Sequence, residues 1–137
     1  MKKVFLGFFL ILFMATIFAG ATLRDFRASS EGDDIKVEWE TGDENNVQNF
    51  IIERNNYESS LGSSQSFLEI KSIQPKGSNS YYSFLDESLF KTNDYVFQYR
   101  LKIVDMDGTI TYSNTISVTP KISGLKRTWG SIKAMFR

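Results

Sequence analysis

The sequence contains no cysteine and no histidine, and these two absences remove many of the groups that commonly perform catalysis or bind metals. Without cysteine the chain has no disulfide bond, no thiolate zinc site, no cysteine nucleophile and no lipid-modified cysteine. Without histidine it has neither a histidine-dependent catalytic triad nor an imidazole metal ligand. Aromatic residues are plentiful, with 12 Phe, 6 Tyr and 2 Trp in 137 residues. The composition therefore predicts one domain with a hydrophobic core and few groups for catalysis.

Charge is distributed unevenly along the chain, although the 16 basic and 16 acidic side chains cancel. Residues 22–120 carry nine basic and sixteen acidic side chains, whereas residues 121–137 carry five basic side chains and no acidic one. An acidic body lacks the clustered cations that bind phosphates, so we expect no nucleic-acid partner. The basic tail indicates a separate contact, with an anionic surface.

The first 21 residues have the three parts of a secretory signal. Lys2 and Lys3 precede an uncharged apolar run over residues 4–18, and residues 19–21 (Ala-Gly-Ala) supply the small side chains of a signal-peptidase site. We expect cleavage after Ala21 and an extracytoplasmic bacterial protein that is secreted, periplasmic or held at the cell surface. The alternative is an uncleaved anchor, because roughly 20 uncharged residues can span a bilayer.

Residues 22–120 alternate between apolar and polar positions, which predicts strands. The clearest case is residues 35–40, where Ile35, Val37 and Trp39 should face the core. Gly108 follows an aspartate and predicts a tight hairpin turn. The predicted strands cover residues 23–28, 35–40, 50–54, 67–73, 81–85, 95–104 and 109–118, with a polar loop over 55–66. Seven short strands separated by turns indicate an all-β antiparallel sandwich.

The order of these motifs resembles a fibronectin type III-like domain. Trp39 matches the tryptophan that packs between the two sheets, and Leu89, six residues before Tyr95, matches a tyrosine corner. A narrower likeness, to a subtype frequent in secreted surface proteins of Bacteroidota-like bacteria, is carried by Trp39-Glu40-Thr41, Phe50 with Ile52-Glu53-Arg54, Tyr99-Arg100-Leu101-Lys102 with Val104-Asp105 and Asp107-Gly108, and Tyr112-Ser113. The resemblance covers residues 23–119. It implies a seven-stranded fibronectin type III or immunoglobulin-like sandwich that acts as a non-catalytic spacer or interaction module.

Paired carboxylates are the remaining candidates for catalysis or metal binding. The pairs are Asp33/Asp34, Asp43/Glu44 and Asp105/Asp107. A glycosidase needs two carboxylates facing each other across a sugar cleft, but these pairs fall in predicted turns, where aspartate favours the local backbone geometry. The Asp105 pair resembles the start of a calcium loop, yet no glutamate follows at the twelfth position. We therefore predict no enzymatic activity, no cofactor and no metal site.

Four tyrosines are candidates for an exposed aromatic surface that would stack on a sugar or contact a protein: Tyr57, Tyr81, Tyr82 and Tyr112. Because successive residues of a strand face opposite sides, one of Tyr81 and Tyr82 should point outward. The alternative is an ordinary position on the sheets, where tyrosine is common. Glu53 and Lys71 are expected on a solvated sheet surface.

The last residues change period and predict a short C-terminal amphipathic helix. Their apolar side chains are spaced by four, three and four residues, which places them in one stripe on a helix. A helix this short is marginal in water on its own, so we expect the tail to fold on contact. Its partner would be its own sandwich, an anionic membrane or another protein, and disorder is the further alternative. The candidate contact residues are Leu125, Lys126, Arg127, Trp129, Ile132, Lys133, Phe136 and Arg137.

The sequence thus divides into a signal peptide (1–21), a sandwich (22–120) and a basic amphipathic tail (121–137). We predict a secreted or cell-surface interaction or structural module whose partner is another surface or secreted protein, with possible contact to a membrane or cell surface through the tail. The alternative is a small carbohydrate-binding protein that holds polysaccharide on its exposed tyrosines.

Overall fold

A computed structural model describes residues 21–58, 66–89 and 95–121, and within these ranges every regular element is a β-strand. No helix in those ranges is long and apolar enough to cross a membrane. The expected signal segment, except Ala21, and the expected helical tail lie outside the described residues. The strands are β1 (Leu23–Glu31), β2 (Asp34–Thr41), β3 (Val47–Glu58), β4 (Leu68–Ile73), β5 (Tyr81–Asp86), β6 (Tyr95–Asp105), β7 (Ile110–Tyr112) and β8 (Ile116–Val118).

These strands form two antiparallel sheets, which confirms the all-β prediction. The first sheet has the order β1-β2-β5. The second has the order β4-β3-β6-β7, and β8 also pairs with β6. Consecutive strands β6 and β7 form the predicted hairpin, in which Gly108 has a φ of 85°, a left-handed conformation that favours glycine.

The core lies between the sheets, where the strict alternation of β2 meets the inward side chains of β3 and β6. Trp39 is 1% exposed, as predicted, and its ring stacks on Tyr82 with 4.8 Å between centroids. Phe50 of the opposite sheet lies 6.0 Å from Trp39 and 5.2 Å from Tyr82. The buried apolar side chains are Phe26, Ile35, Val37, Trp39, Val47, Phe50, Ile52, Tyr82, Leu89, Phe97, Tyr99, Leu101 and Ile103.

The predicted seventh strand over residues 109–118 was wrong, because two three-residue strands replace it. Ser113 interrupts the pairing between them. Its backbone N–H donates to the carbonyl of Leu101, at 2.9 Å, while its hydroxyl accepts the N–H of Leu101, at 2.8 Å. The hydroxyl also donates to the carbonyl of Asn114. A side-chain oxygen thus takes the place of a backbone acceptor, as serine can where a strand ends.

The predicted end of the third strand at Arg54 was also wrong. β3 continues to Glu58, which pairs with Tyr95 of β6. The polar residues at 55–58 lack the alternation that predicts a strand, but pairing with the long central strand β6 keeps them extended.

The sandwich has two distinct ends. At the hairpin end, the β2–β3 loop contacts both the β4–β5 loop and the β6–β7 turn, through Asn79 N–H to Gly42 O at 2.6 Å and Met106 N–H to Asn46 O at 2.8 Å. At the tail end, the β1–β2 turn lies near the exit of the chain, where the N–H of Lys121 donates to Ser30 Oγ at 2.8 Å.

Candidate interaction surfaces

The four candidate tyrosines do not form one surface. Tyr81 and Tyr112 are exposed, by 45% and 49%, but they lie on different sheets. The prediction that Tyr82 contributes to an exposed surface was wrong, because its ring is buried against Trp39. Alternation along β5 accounts for this outcome, since only one of two successive tyrosines can face the solvent. The side chain of Tyr57 lies outside the described residues.

Tyr81 belongs to the outer face of the three-stranded sheet, which we name the acidic face. Its centre is Glu38, which accepts a hydrogen bond from the Tyr81 hydroxyl and forms ion pairs of 3.3 Å with both Arg27 and Lys36. Register places the following residues on this face: Asp25, Arg27, Glu31, Asp34, Lys36, Glu38, Glu40, Tyr81, Ser83 and Leu85.

The contacts of Glu38 hold the pKa of its carboxyl below the ordinary value. The hydrogen bond from Tyr81 contributes most, and the bonds from Lys36 and Arg27 act in the same direction against desolvation. Glu38 therefore stays ionised at neutral pH. Its hydrogen bond with the Tyr81 hydroxyl holds the tyrosine ring in place.

Tyr112 belongs to the outer face of the five-stranded sheet, which we name the stacked face. The guanidinium carbon of Arg100 lies 4.0 Å from the ring centroid of Phe67 and 4.2 Å from that of Tyr112. Arg100 Nε also donates to Glu53 Oε2 at 2.6 Å. Cation–π contacts on both sides and a charge-assisted bond fix the arginine in one orientation.

Glu53 is 5% exposed, so its predicted place on a solvated surface was wrong. Arg100 covers it, and Lys102 approaches it at 3.9 Å while bonding Glu69 at 2.7 Å. Lys71 is exposed, as predicted.

Two further apolar side chains, Met106 and Ile110, are exposed on the hairpin beside the stacked face. This face thus combines exposed apolar groups with ion pairs.

A buried polar cluster joins the sheets near the tail end. Asp86, 2% exposed, accepts hydrogen bonds from the Tyr99 hydroxyl at 2.8 Å, the Ser88 hydroxyl at 2.7 Å and the Ser88 N–H at 3.1 Å. It also forms an ion pair with Arg54. Asp86 lies on β5, whereas Arg54 and Tyr99 lie on β3 and β6, so the cluster links one sheet to the other.

The titration of this cluster follows from its bonds. Burial alone would raise the pKa of Asp86, but the bonds from Ser88, Tyr99 and Arg54 outweigh it and hold that pKa below the ordinary value. Burial, and then the charge of Asp86, raises the pKa of Tyr99. At neutral pH the cluster therefore holds a carboxylate, a guanidinium and a neutral phenol, and no group poised for proton transfer.

A second polar cluster, around Glu44, closes the hairpin end. Glu44 accepts hydrogen bonds from the hydroxyls of Thr41 at 2.5 Å and Tyr82 at 2.7 Å, and from the N–H of Gly77 at 2.8 Å. Burial and the neighbouring Glu44 raise the pKa of Tyr82 to about 12. The turn position predicted for Glu44 was right, but its burial was not foreseen, and the carboxylate ties two loops together.

Asp105 has no such partners. It is the last residue of β6 and fully buried, and neither carboxylate oxygen has a hydrogen-bond partner among the residues that the structure describes. Burial, and then the charge of Asp107, raises its pKa. Asp107 itself is exposed and accepts the N–H of Thr109 at 2.9 Å, as a turn residue does.

A shallow cleft of about 380 Å³ opens where β1 faces the interruption between β7 and β8. Its lining residues are Leu23, Arg24, Asp25, Phe26, Ser113 and Asn114. The lining includes one carboxylate, whereas a glycosidase places two across its cleft. Over residues 21–58, 66–89 and 95–121, no three acidic side chains come together as a group that could hold a metal ion.

Comparison of the chain with protein-family models, with curated proteins and with solved structures finds no match. The eight candidate contact residues of the tail lie outside the described residues. The arginine stack was missed from the sequence because Phe67, Arg100 and Tyr112 belong to three separate segments. Only the cross-strand register brings them together. Tyr112 opposes Lys102, two residues after Arg100 on β6. Phe67 precedes Leu68, which opposes Arg54 on the neighbouring strand β3.

Proposed function

We propose that this protein is a secreted or cell-surface, non-catalytic interaction module with a fibronectin type III-like sandwich. A signal peptide at residues 1–21 exports it, and the basic tail at 121–137 docks it to a surface or to another protein. The sandwich contacts a second surface or secreted protein through the stacked face.

The observation that carries this proposal is the stack of Phe67, Arg100 and Tyr112. Tyrosine and arginine side chains dominate the binding energy of protein interfaces, and they do so best when they are held rigid before binding. Arg100 is fixed by Glu53 and by two rings, and Tyr112 is half exposed beside the apolar Ile110. The buried carboxylates Asp86 and Glu44 are in contrast occupied by structural hydrogen bonds. Two sheets with Trp39 between them are also the arrangement that the sequence resemblance implies.

The interaction surface is tested by comparing two equally exposed tyrosines. Partner capture by immobilised protein should fall at least tenfold for Tyr112→Ala and stay unchanged for Tyr81→Ala, because only Tyr112 belongs to the stacked face. The captured protein is identified by mass spectrometry, and its affinity is measured with the purified pair. Equal losses for both variants, or none for Tyr112→Ala, would contradict the role of the stacked face.

Export and docking are tested separately. The exported protein should begin at Thr22, which intact mass measures; a mass that retains residues 1–21 would favour the membrane anchor.

Cell fractionation of full-length, tail-deleted and Trp129→Ala proteins then tests the tail. Retention that disappears steeply with salt favours an anionic membrane, where each basic residue contributes ~1 kcal/mol, whereas retention that depends mainly on Trp129 favours a protein groove. Equal retention of all three proteins would remove the docking role.

The second candidate function is polysaccharide binding, which the exposure of Tyr81 and Tyr112 favours. The rings lie on opposite sheets, so each would stack on a separate sugar. Affinity electrophoresis in gels that contain soluble polysaccharide should show retardation that decreases in Tyr81→Ala and Tyr112→Ala. Unretarded migration of the unmodified protein in every gel would argue against this function.

A further inference from the structure

We propose that residues 122–137 fold back on the acidic face of their own sandwich, as an intramolecular contact that any external target of the tail must displace. This goes beyond the proposed docking function, because it assigns the tail a binding site within the same chain. The argument rests on where the described chain ends, on the charges of the two outer faces and on the exposed apolar groups of one of them.

The chain leaves the sandwich beside β1, the edge strand of the sheet whose outer side is the acidic face. Pro120 is buried, and the N–H of Lys121 donates to Ser30 Oγ at 2.8 Å. Ser30 precedes Glu31 on β1, the edge strand of the three-stranded sheet. The next residues therefore start beside this sheet, and an extended linker of three residues reaches about 10 Å, the distance across two strand spacings.

The two outer faces differ in charge. On the stacked face, Arg100 and Lys102 are neutralised by Glu53 and Glu69. The acidic face carries five acidic residues: Asp25, Glu31, Asp34, Glu38 and Glu40. Its two basic residues, Arg27 and Lys36, form ion pairs with Asp25, Glu31 and Glu38, so five acidic against two basic side chains leave an excess of three negative charges on this face. Since residues 122–137 contain four basic side chains and no acidic one, electrostatic attraction selects the acidic face.

The acidic residues are also placed at both ends of this face. Asp25 opposes Glu40 near the hairpin end, and Glu31 opposes Asp34 near the tail end. Like charges directly opposite each other on a sheet are unfavourable. One cation already pairs with each set, Arg27 with Asp25 and Lys36 with Glu31, and a further cation near either set would relieve the remaining repulsion. On a helix the tail has two basic groups, Lys126 with Arg127 and Lys133 with Arg137, on the order of 10–15 Å apart. Long lysine and arginine side chains extend this span toward the two acidic pairs.

Apolar groups complete the match. Tyr81 and Leu85 are the exposed large apolar side chains of the acidic face, four residues apart on β5 and therefore about 13 Å from each other. The apolar stripe from Leu125 to Phe136 is about 16 Å long on a helix. Contact would cover both exposed groups and the stripe, so apolar surface of the sandwich and of the tail would be removed from water together.

The absence of cysteine allows a direct test by disulfide trapping in the full exported chain. Ser83→Cys places a thiol on β5 of the acidic face, opposite its central residue Glu38, and Thr128→Cys places one on the flank of the tail stripe. The matched control combines Thr128→Cys with Ser117→Cys, on β8. Ser83 and Ser117 are both exposed serines, and Ser117 lies far closer to the tail along the chain.

We expect the pair at 83 and 128 to form its disulfide at least tenfold faster than the pair at 117 and 128 under the same mild oxidant. A tail without a docking site would give the reverse order, because a shorter loop closes more readily. That reverse order, equal rates, or failure of the pair at 83 and 128 to close would overturn the proposal. Circular dichroism of the reduced variants checks that each is folded.

Charge provides a second measurement that keeps the sandwich intact. Adding Glu40→Lys to the pair at 83 and 128 should slow its closure severalfold, and raising the salt concentration should do the same. Asp43→Lys, an exposed change outside the acidic face, should leave the rate unchanged. Equal responses to the two charge changes would contradict docking on the acidic face. Because disulfide closure is measured on isolated protein, its failure is distinguishable from a failure of surface retention in cells.

Discussion

Two buried aspartates at opposite ends of the sandwich have contrasting surroundings. Asp86, near the tail end, is held by Arg54, Tyr99 and Ser88, whereas Asp105, at the hairpin end, has no hydrogen-bond partner among the described residues. Their pKa values are displaced in opposite directions, downward for Asp86 and upward for Asp105. The comparison teaches that burial alone decides neither the charge state of a carboxyl nor its contribution to stability; the donors around it decide both.

The largest expected effect comes from removing the charge of Asp86. Asp86→Asn should lower the free energy of unfolding by about 3–5 kcal/mol, because it leaves the guanidinium of Arg54 buried without its counter-charge. Urea denaturation at neutral pH measures this. The exposed pair of Lys102 and Glu69 provides the control, since Glu69→Gln should cost no more than about 1 kcal/mol. Similar losses in both variants would mean that the Asp86 cluster stabilises no more than a surface pair.

A smaller effect of opposite sign is expected at Asp105. Asp105→Asn should raise the free energy of unfolding by about 1 kcal/mol at neutral pH, because it removes a buried charge that no donor in the described residues compensates. Asp43→Asn, an exposed change in the β2–β3 loop, should be neutral. A destabilised Asp105→Asn protein would show that the carboxylate makes an essential contact, and would end the contrast between the two aspartates.

The pH dependence gives the smallest but most specific comparison. The pKa of Asp86 is lower in the folded than in the unfolded protein, so its contribution to stability is present above the unfolded value of about 3.9 and is lost as pH falls through the folded pKa. The pKa of Asp105 is raised on folding, so its contribution to stability is present below about 3.9 and is lost as pH rises through the folded pKa.

Unfolding curves across the acidic range should separate these two contributions. The stability difference between unmodified protein and Asp86→Asn should shrink as the pH falls below about 4. The advantage of Asp105→Asn should instead appear only as the pH rises above about 4. Parallel curves for the unmodified protein and either variant would mean that the aspartate replaced there titrates as it does in the unfolded chain.

Local patterns in the sequence predicted the features that depend on neighbouring residues. The alternation of Ile35, Val37 and Trp39 predicted a core strand, and Gly108 predicted the hairpin. Features that depend on register were missed. Nothing in the local sequence distinguishes the burial of Tyr82 from that of Tyr81, or reveals that Asp86 meets Arg54, because these outcomes need the pairing of distant strands. The same reason explains why the pattern of residues 109–118 predicts one continuous strand, although Ser113 interrupts it.

That interruption at Ser113 has a consequence for behaviour at high concentration. A strand at the edge of a sheet offers its free N–H and C=O groups to other chains, and a long flat edge invites aggregation. Here the last edge of the five-stranded sheet consists of two strands of three residues each, separated by residues 113–115. The backbone groups of Ser113 are turned toward Leu101, and its hydroxyl is occupied as well. A second chain therefore finds no continuous template along this edge, so a single hydroxyl helps to keep the molecules apart.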